Sequence, residues 1–189
     1  MTTNIKYSYT RPREFRKHYI DADDVRVLLE RLPEWTWSRL RAVHFNDESL
    51  GVRRLGYVDH GRREIAICAL PPNVSLARHV VRSSPRQFGA VRGMQWPERA
   101  ARRFMLYDVL LRELGYLQVI DPKARSARRK FASRTKAREF AYRWRARLWS
   151  KPFEHPDPIH NRPTELELEL LEYESRSQAD PRPVSLVHF

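Results

Sequence analysis

A chain of 189 residues, 41% hydrophobic and 31% charged with six glycines, can fill one packed core and is not a low-complexity polymer. Its formal net charge is +13, and no stretch reaches the roughly 18 consecutive apolar residues of a membrane span. The single cysteine, Cys68, excludes an intrachain disulfide and a cysteine-based zinc site. With no apolar secretory segment in the first residues, the expectation is a reducing, cytoplasmic compartment.

The charge is uneven. Between Pro122 and Lys151 stand twelve Lys/Arg and one acid, Glu139; from Pro152 onward eight acids face three arginines. A concentrated positive field favours polyanions: nucleic acid, a ribonucleoprotein, an anionic membrane surface or an acidic protein face. A solvated basic surface that only keeps the protein soluble stays open beside these.

In chain order, residues 1–20 read as an arm with Tyr7, Tyr9, Phe15 and Tyr19 among basic residues, ordered only where it docks. Asp21 suits the N-cap of a helix to about Leu32, in which Val25, Leu28, Leu29 and Leu32 share a face and which Pro33 ends. "LRAVHFND" alternates as a strand does. "RRLGYVDHGRREIAICAL" reads as a hairpin whose "DHGR" turn can take a positive φ from Gly61. Residues 76–96 show no clear period, and Gly89 and Gly93 suggest a loop.

Pro97 suits the first turn of a helix running to about Leu117. Phe104, Met105, Leu106, Val109, Leu110, Leu111, Leu114 and Leu117 make it apolar on most sides, so it should be buried. Gly115 within it costs about 1 kcal/mol relative to Ala, which implies a close approach. "DPKARSARRK" reads as a basic linker. A helix over about 133–149 follows, with Ala137, Phe140, Ala141, Trp144 and Leu148 as its apolar stripe. Residues 151–189 read as a tail, Pro-rich and then acidic. "TELELELLEYE" alternates like a strand, whereas Thr164 with Glu167 fits a helix capping box. The last fifteen residues are expected to be disordered. The sum is an α+β fold: a short, mainly antiparallel sheet packed on helices, with the domain over 21–150.

"YDVLLRELGYLQ", residues 107–118, raises the question of chemistry. With His at 112 and 116 it would read as a His-Glu-x-x-His zinc helix. Those positions hold Arg112 and Tyr116, and only Glu113 remains. The order helix, strand, hairpin, buried helix, second helix over about 22–150 resembles the zincin-like metallopeptidases of the gluzincin type. In that family the next helix brings a third ligand, a Glu in a pattern like E-x-x-A, and "REFA" offers Glu139. The resemblance implies that Glu113 stands where the general base stood, Glu139 where the third ligand stood, and Arg112 and Tyr116 where two His ligands stood.

A catalytic zinc needs three protein ligands and a bound water. Arg112 is a cation without a free lone pair, and a protonated Tyr116 is a poor ligand. The expectation is a metal-free, cofactor-free relative without peptidase activity. Arg112 should then pair with Asp108, Glu113 or Glu139, and Tyr116 should fill the second His space. A divergent peptidase with other ligands, and a plain buried helix, remain alternatives. His155 and His160 flank "PDPI", and His44, His60 and His79 lie in or near the strands, but no third converging ligand is identifiable. There is no Gly-rich phosphate loop and no G-x-S-x-G, and Cys68 in an apolar run reads as core.

The basic helix carries the binding signal. Tyr142, Trp144 and Trp149 alternate with Arg143, Arg145 and Arg147. Trp144 lies on the apolar stripe, which leaves Trp149 freer to stack on a base. Phosphate contacts are expected from Arg128, Arg129, Lys130, Arg134, Arg138 and Arg145, with nucleic acid or a ribonucleoprotein as partner and an acidic protein as the alternative.

Overall fold

Asp21 caps α1 (Ala22–Arg31). Its carboxylate accepts from the backbone N–H of Asp23 and Asp24, and Asp24 reaches back to the Asp21 N–H at 3.1 Å, closing a reciprocal capping box. Val25, Leu28 and Leu29 then point into the core. This is a computed structural model, and it describes residues 4–80, 84–119 and 126–179; the side chains of 119, 127, 130, 178 and 179 lie outside the description.

The expected strand is β2 (Ala42–Asn46), and the expected hairpin is β3 (Gly56–Asp59) with β4 (Glu64–Cys68). The left-handed residue of the hairpin turn is Arg63, φ 63°, and not Gly61. The Arg62 N–H donates to the Asp59 carboxylate at 3.0 Å, which holds the turn in place of a glycine.

The N-terminal segment is more than an arm. Lys6–Tyr9 form β1, which pairs in parallel with β2 in the register Lys6↔Ala42 to Tyr9↔Phe45. The Tyr9 ring stacks on Phe45 at 4.4 Å, and its hydroxyl accepts from the Ala22 N–H at 2.6 Å. Arg13 at 2.7 Å, and Arg16 with it, then hold Asp47. The sheet runs β1-β2-β4-β3, with β1–β2 and β2–β4 parallel and β4–β3 antiparallel. It is mixed, not mainly antiparallel: α1 is the crossover that returns β2 parallel to β1, and β3 takes the edge beyond β4, so that β4 lies parallel to β2. Val43 and Phe45 of β2 and Ile65 and Ile67 of β4 point together into the core.

The central apolar helix is a rod in three parts: α2 (Glu98–Phe104), a π-helical turn (Met105–Leu110) and α3 (Leu111–Val119). Residues Phe104 to Leu111 are all buried. The π turn widens the helix by one residue, a feature no hydrophobic period signals. The basic helix α4 (Ala127–Ser150) starts earlier than its apolar stripe, inside the segment read as a linker, because Ser126 accepts from the Arg129 N–H at 3.3 Å as its cap.

Asp108 meets Arg145 while Gly115 meets Ala137 and Phe140, so α3 and α4 run antiparallel. A Cβ added at Gly115 would stand 3.0 Å from the Ala137 carbonyl oxygen and 3.0 Å from the Phe140 Cβ. That is the close approach the glycine permits.

The segment read as a tail packs on the domain. Ile159 and His160 are buried, and α5 (Glu165–Ala179) buries Leu168 and Leu171. Its helical reading prevails because Thr164 Oγ1 accepts from the Glu167 N–H at 3.2 Å, and because Glu167 then reaches Arg103 at 2.8 Å. The disorder expected for the last fifteen residues does not hold for 175–179, which are helical; 180–189 lie outside the described residues. No described helix is long and apolar enough to cross a membrane.

Gly115→Ala should lower stability by about 1–3 kcal/mol through overpacking against α4, even though Ala is the better helix former by about 1 kcal/mol. Urea unfolding checks this; a raised midpoint would mean the two helices do not meet so closely.

Candidate functional site

A cleft of about 580 Å³ opens over α3 where it carries Arg112, Glu113 and Tyr116. β3 supplies one wall through Gly56, Tyr57 and Val58, and α3 another through Arg112, Glu113 and Tyr116. The pair Arg134 and Arg138, one turn apart on α4, closes the third side. Arg53, Arg54 and Arg78 line the mouth. Among the described residues, six arginines and one carboxylate, Glu113, line the cleft. The Arg138 Nε is buried and finds no acceptor among the described residues. β3 lies close on α3 because residue 56 is a glycine: a Cβ there would meet the Ala66 carbonyl oxygen at 2.9 Å and Glu113 Cγ at 3.3 Å.

Arg112 is held from behind. Asp108, one turn earlier on the rod, takes its Nη1 at 3.3 Å, and Glu113 lies 3.6 Å from its Nε. Asp108 also receives Nη1 of Arg145 from α4 at 3.0 Å. Burial pushes the Asp108 carboxyl up and the Arg145 guanidinium down, and the opposite charge of each partner works against that. Glu139 is half-buried on α4 and is not among the residues lining the cleft.

Glu113 is buried, and desolvation pushes its carboxyl up to about 7 against the pull of Arg112. Burial likewise raises the Tyr116 phenol, so Tyr116 keeps its proton near neutral pH and can donate a hydrogen bond. His60 and His79 are both lowered by burial and favour the neutral form. The cleft thus offers an anion a guanidinium and a protonated phenol, and among the described residues its two imidazoles and Glu113 do not converge as a metal-ligand set.

The residues expected to contact phosphate divide. Arg134 and Arg138 line the cleft, while Arg128 and Arg129 are exposed near the start of α4. The Lys130 side chain lies outside the described residues. Arg145 is a correction: it is 2% exposed, pairs with Asp108, and packs its guanidinium over Phe88 at 4.9 Å. A buried carboxylate on an apolar helix needs a counterion, and Asp108 was the sequence sign of it. Trp149 is a second correction, since it packs on Phe88 and Tyr107 at 6.0 and 5.6 Å and is not free to stack. Arg53, Arg54 and Arg78 escaped the sequence reading because only the fold carries their loops to α3.

Two other clusters are built for structure. Asp24, Asp157 and His160 converge closely enough for a metal, but Arg102 stands among them, 3.2 Å from Asp24 and 2.7 Å from Asp157. His160 lies 3.1 Å from Asp24 and ties the 158–160 turn to α1. Ser8, His44 and Glu64 make a bonded row across β1, β2 and β4 on the outer face of the sheet, away from the cleft, as cross-strand polar pairs do. Burial pushes the Cys68 thiol up to about 12, which makes it core and not a nucleophile.

No protein-family model, curated protein or solved structure matches this chain.

Two predictions follow from the buried charges. Asp108→Ala strands Arg145 in an apolar setting and should cost about 3–5 kcal/mol, with Arg145→Met on the same background restoring part of it. Calorimetric or urea stabilities of the single and double variants check the pairing, and additive losses would refute it.

Glu113 predicts a pH effect. Folded, it holds its proton to about pH 7, whereas its ordinary value is 4.5, so the folded state binds the extra proton between those limits. Its contribution to stability is therefore present at the acid end and declines as pH rises from 4.5 to 7. Relative to Glu113→Gln, the wild type should lose on the order of 3 kcal/mol across that window. Parallel curves for the two proteins would show that the carboxyl is not perturbed.

Proposed function

We propose that this chain is a metal-free, zincin-like binding protein without peptidase activity, whose arginine-lined cleft takes the phosphates of a nucleic acid or ribonucleoprotein. The observation that carries this reading is the cleft's charge: six arginines from four segments face one carboxylate that is itself easily protonated. Positive walls around a concave, poorly hydrated surface concentrate field and draw polyanions. Guanidinium groups bind phosphate through paired, planar N–H donors, and Arg138 presents an Nε with no partner among the described residues.

The resemblance to zincins bears on how such a cleft arises. A cation stood between the two helices in the family, and Arg112 now puts a fixed positive charge on the same turn. Asp108 keeps that charge in place. A water-activating role for Glu113 is not supported, because the described residues around it make no converging set of metal donors and its carboxyl faces a guanidinium.

Binding of unrelated single- and double-stranded oligonucleotides tests the reading. Affinity should fall with salt along log–log slopes of about −0.7Z and −0.9Z for Z phosphates contacted. Arg134→Ala/Arg138→Ala should weaken every sequence alike and reduce the slope by about one unit per phosphate lost. Elemental analysis should find no stoichiometric zinc. One zinc per chain that disappears on Glu113→Gln would overturn the metal-free reading. Binding to a single acidic protein but to no oligonucleotide, even at low salt, would replace nucleic acid with a protein partner.

A further inference from the structure

The opposite flank of α4 carries a second basic feature. Arg129, Lys136, Arg143 and Arg147 recur at i, i+7, i+14 and i+18, which keeps them along one side of a helix with only slow drift. All four are exposed, and they stand on the other side of the buried stripe from Arg134 and Arg138. Between the first and the last, the helix rises about 27 Å, the length of about eight nucleotides of a stacked strand.

At the end of this row stands Trp35, in the short turn Glu34–Thr36 that follows α1. It is 62% exposed, whereas Trp96 and Trp144 are buried and Trp37 and Trp149 are half-buried. Trp35 meets the buried Trp144 ring edge-to-face at 5.9 Å, and the Arg147 guanidinium lies 5.1 Å from the same ring. One core residue thus braces an exposed indole and an exposed cation side by side.

We infer that this flank is a second contact surface, one that takes a single-stranded nucleic acid with its phosphates along Arg129, Lys136, Arg143 and Arg147 and one base stacked on Trp35. A row of cations alone accepts any polyanion. The indole adds a π-face at the end of the row, and a nucleobase stacks on it where the carboxylates of an acidic peptide cannot. The strand must be single, because bases inside a duplex already stack on each other. The inference rests on the nucleic-acid reading of the cleft but uses none of the cleft's residues.

The test uses the full chain and anisotropy of labelled oligothymidine, about ten nucleotides long, beside a duplex of the same length at two salt concentrations. Trp35→Ala should weaken oligothymidine about tenfold, within the range of one lost stacking contact, and leave its salt slope unchanged. Trp35→Phe should retain most of the affinity, and the duplex should be little affected by either. Arg129→Ala/Lys136→Ala/Arg143→Ala/Arg147→Ala should instead flatten the single-strand slope by about three units.

Circular dichroism and thermal melting establish that each variant is folded. Wild-type affinity in Trp35→Ala, or an unchanged slope in the fourfold variant, overturns the inference; if Arg134→Ala/Arg138→Ala then weakens binding, the cleft reading stands alone. If the cleft pair is neutral and the flank variants weaken binding, the cleft reading falls and the flank remains. Displacement of oligothymidine by polyglutamate in the wild type, with no effect of Trp35→Ala on either, would show charge attraction only and would also overturn the inference.

Discussion

The carboxylate of Asp108 is the constraint on which the site depends. It sits at 7% exposure in the widened turn of an otherwise apolar rod. An ionised group there is tolerable only if counter-charge reaches it with good geometry. Two guanidiniums do so from different helices: Arg145 crosses from α4, and Arg112 folds back from the next turn. The first contact fixes how α4 lies along α3, and the second aims a positive charge at the cleft wall. Gly115, farther along the same interface, lets the two backbones close to the distance this pairing requires. A charge network thus sets helix register, and helix register brings Arg134 and Arg138 opposite β3. This use of a buried network is specification more than stabilisation, since a well-packed apolar set could serve stability as well.

The local signals of the fold were legible in the sequence, and the non-local ones were not. Asp21, the i, i+3, i+4, i+7 run after it, Pro97 and the stripe of α4 each act within a turn or two, and each produced its element. The hairpin was readable for the same reason, although Arg63 and not Gly61 takes the left-handed position. β1 was not readable. Four residues of mixed character become a strand only because β2, about 36 residues on, offers a parallel edge and Phe45 offers a ring to Tyr9. That missed strand accounts for the parallel β1–β2 pair, while the parallel β2–β4 pair arises because β3 takes the edge beyond β4. At the site, Arg112 with Asp108 was legible from i,i+4 spacing, but the burial of Arg145 depends on where a second helix lies, and no window on α4 contains that information.

A cleft lined by arginines differs in what it can do from one that holds a divalent ion. A metal is a Lewis acid with open coordination positions, whereas a guanidinium offers only directed N–H groups and a charge that does not titrate near neutrality. Around Arg112 the adaptable partner is then Glu113. Protonated, it leaves the positive field unopposed; ionised, it competes with any anion for Arg112. The two histidines of the cleft are held toward their neutral forms and do not offset this. Anion affinity and carboxyl protonation are therefore linked, and a bound phosphate must push the Glu113 carboxyl upward as surely as a proton on Glu113 favours the phosphate.

α4 shows how one helix can present two basic flanks without loss of its core role. Ala137, Phe140, Ala141, Trp144 and Leu148 bury a single stripe, Arg145 beside it is buried against Asp108, and the exposed residues outside both carry the charge. The flank toward β3 is concave, because the sheet edge and the loops before it rise beside the helix and add Arg53, Arg54 and Arg78. The other flank has only the Glu34–Thr36 turn beside it and stays open. A concave flank holds an anion by surrounding it, so its affinity depends on shape and on the few groups at its floor. An open flank can hold a chain only by repetition, a cation every two turns and one flat ring to stop it sliding. The difference lies in what packs next to α4, since the arginines on its two sides are chemically the same.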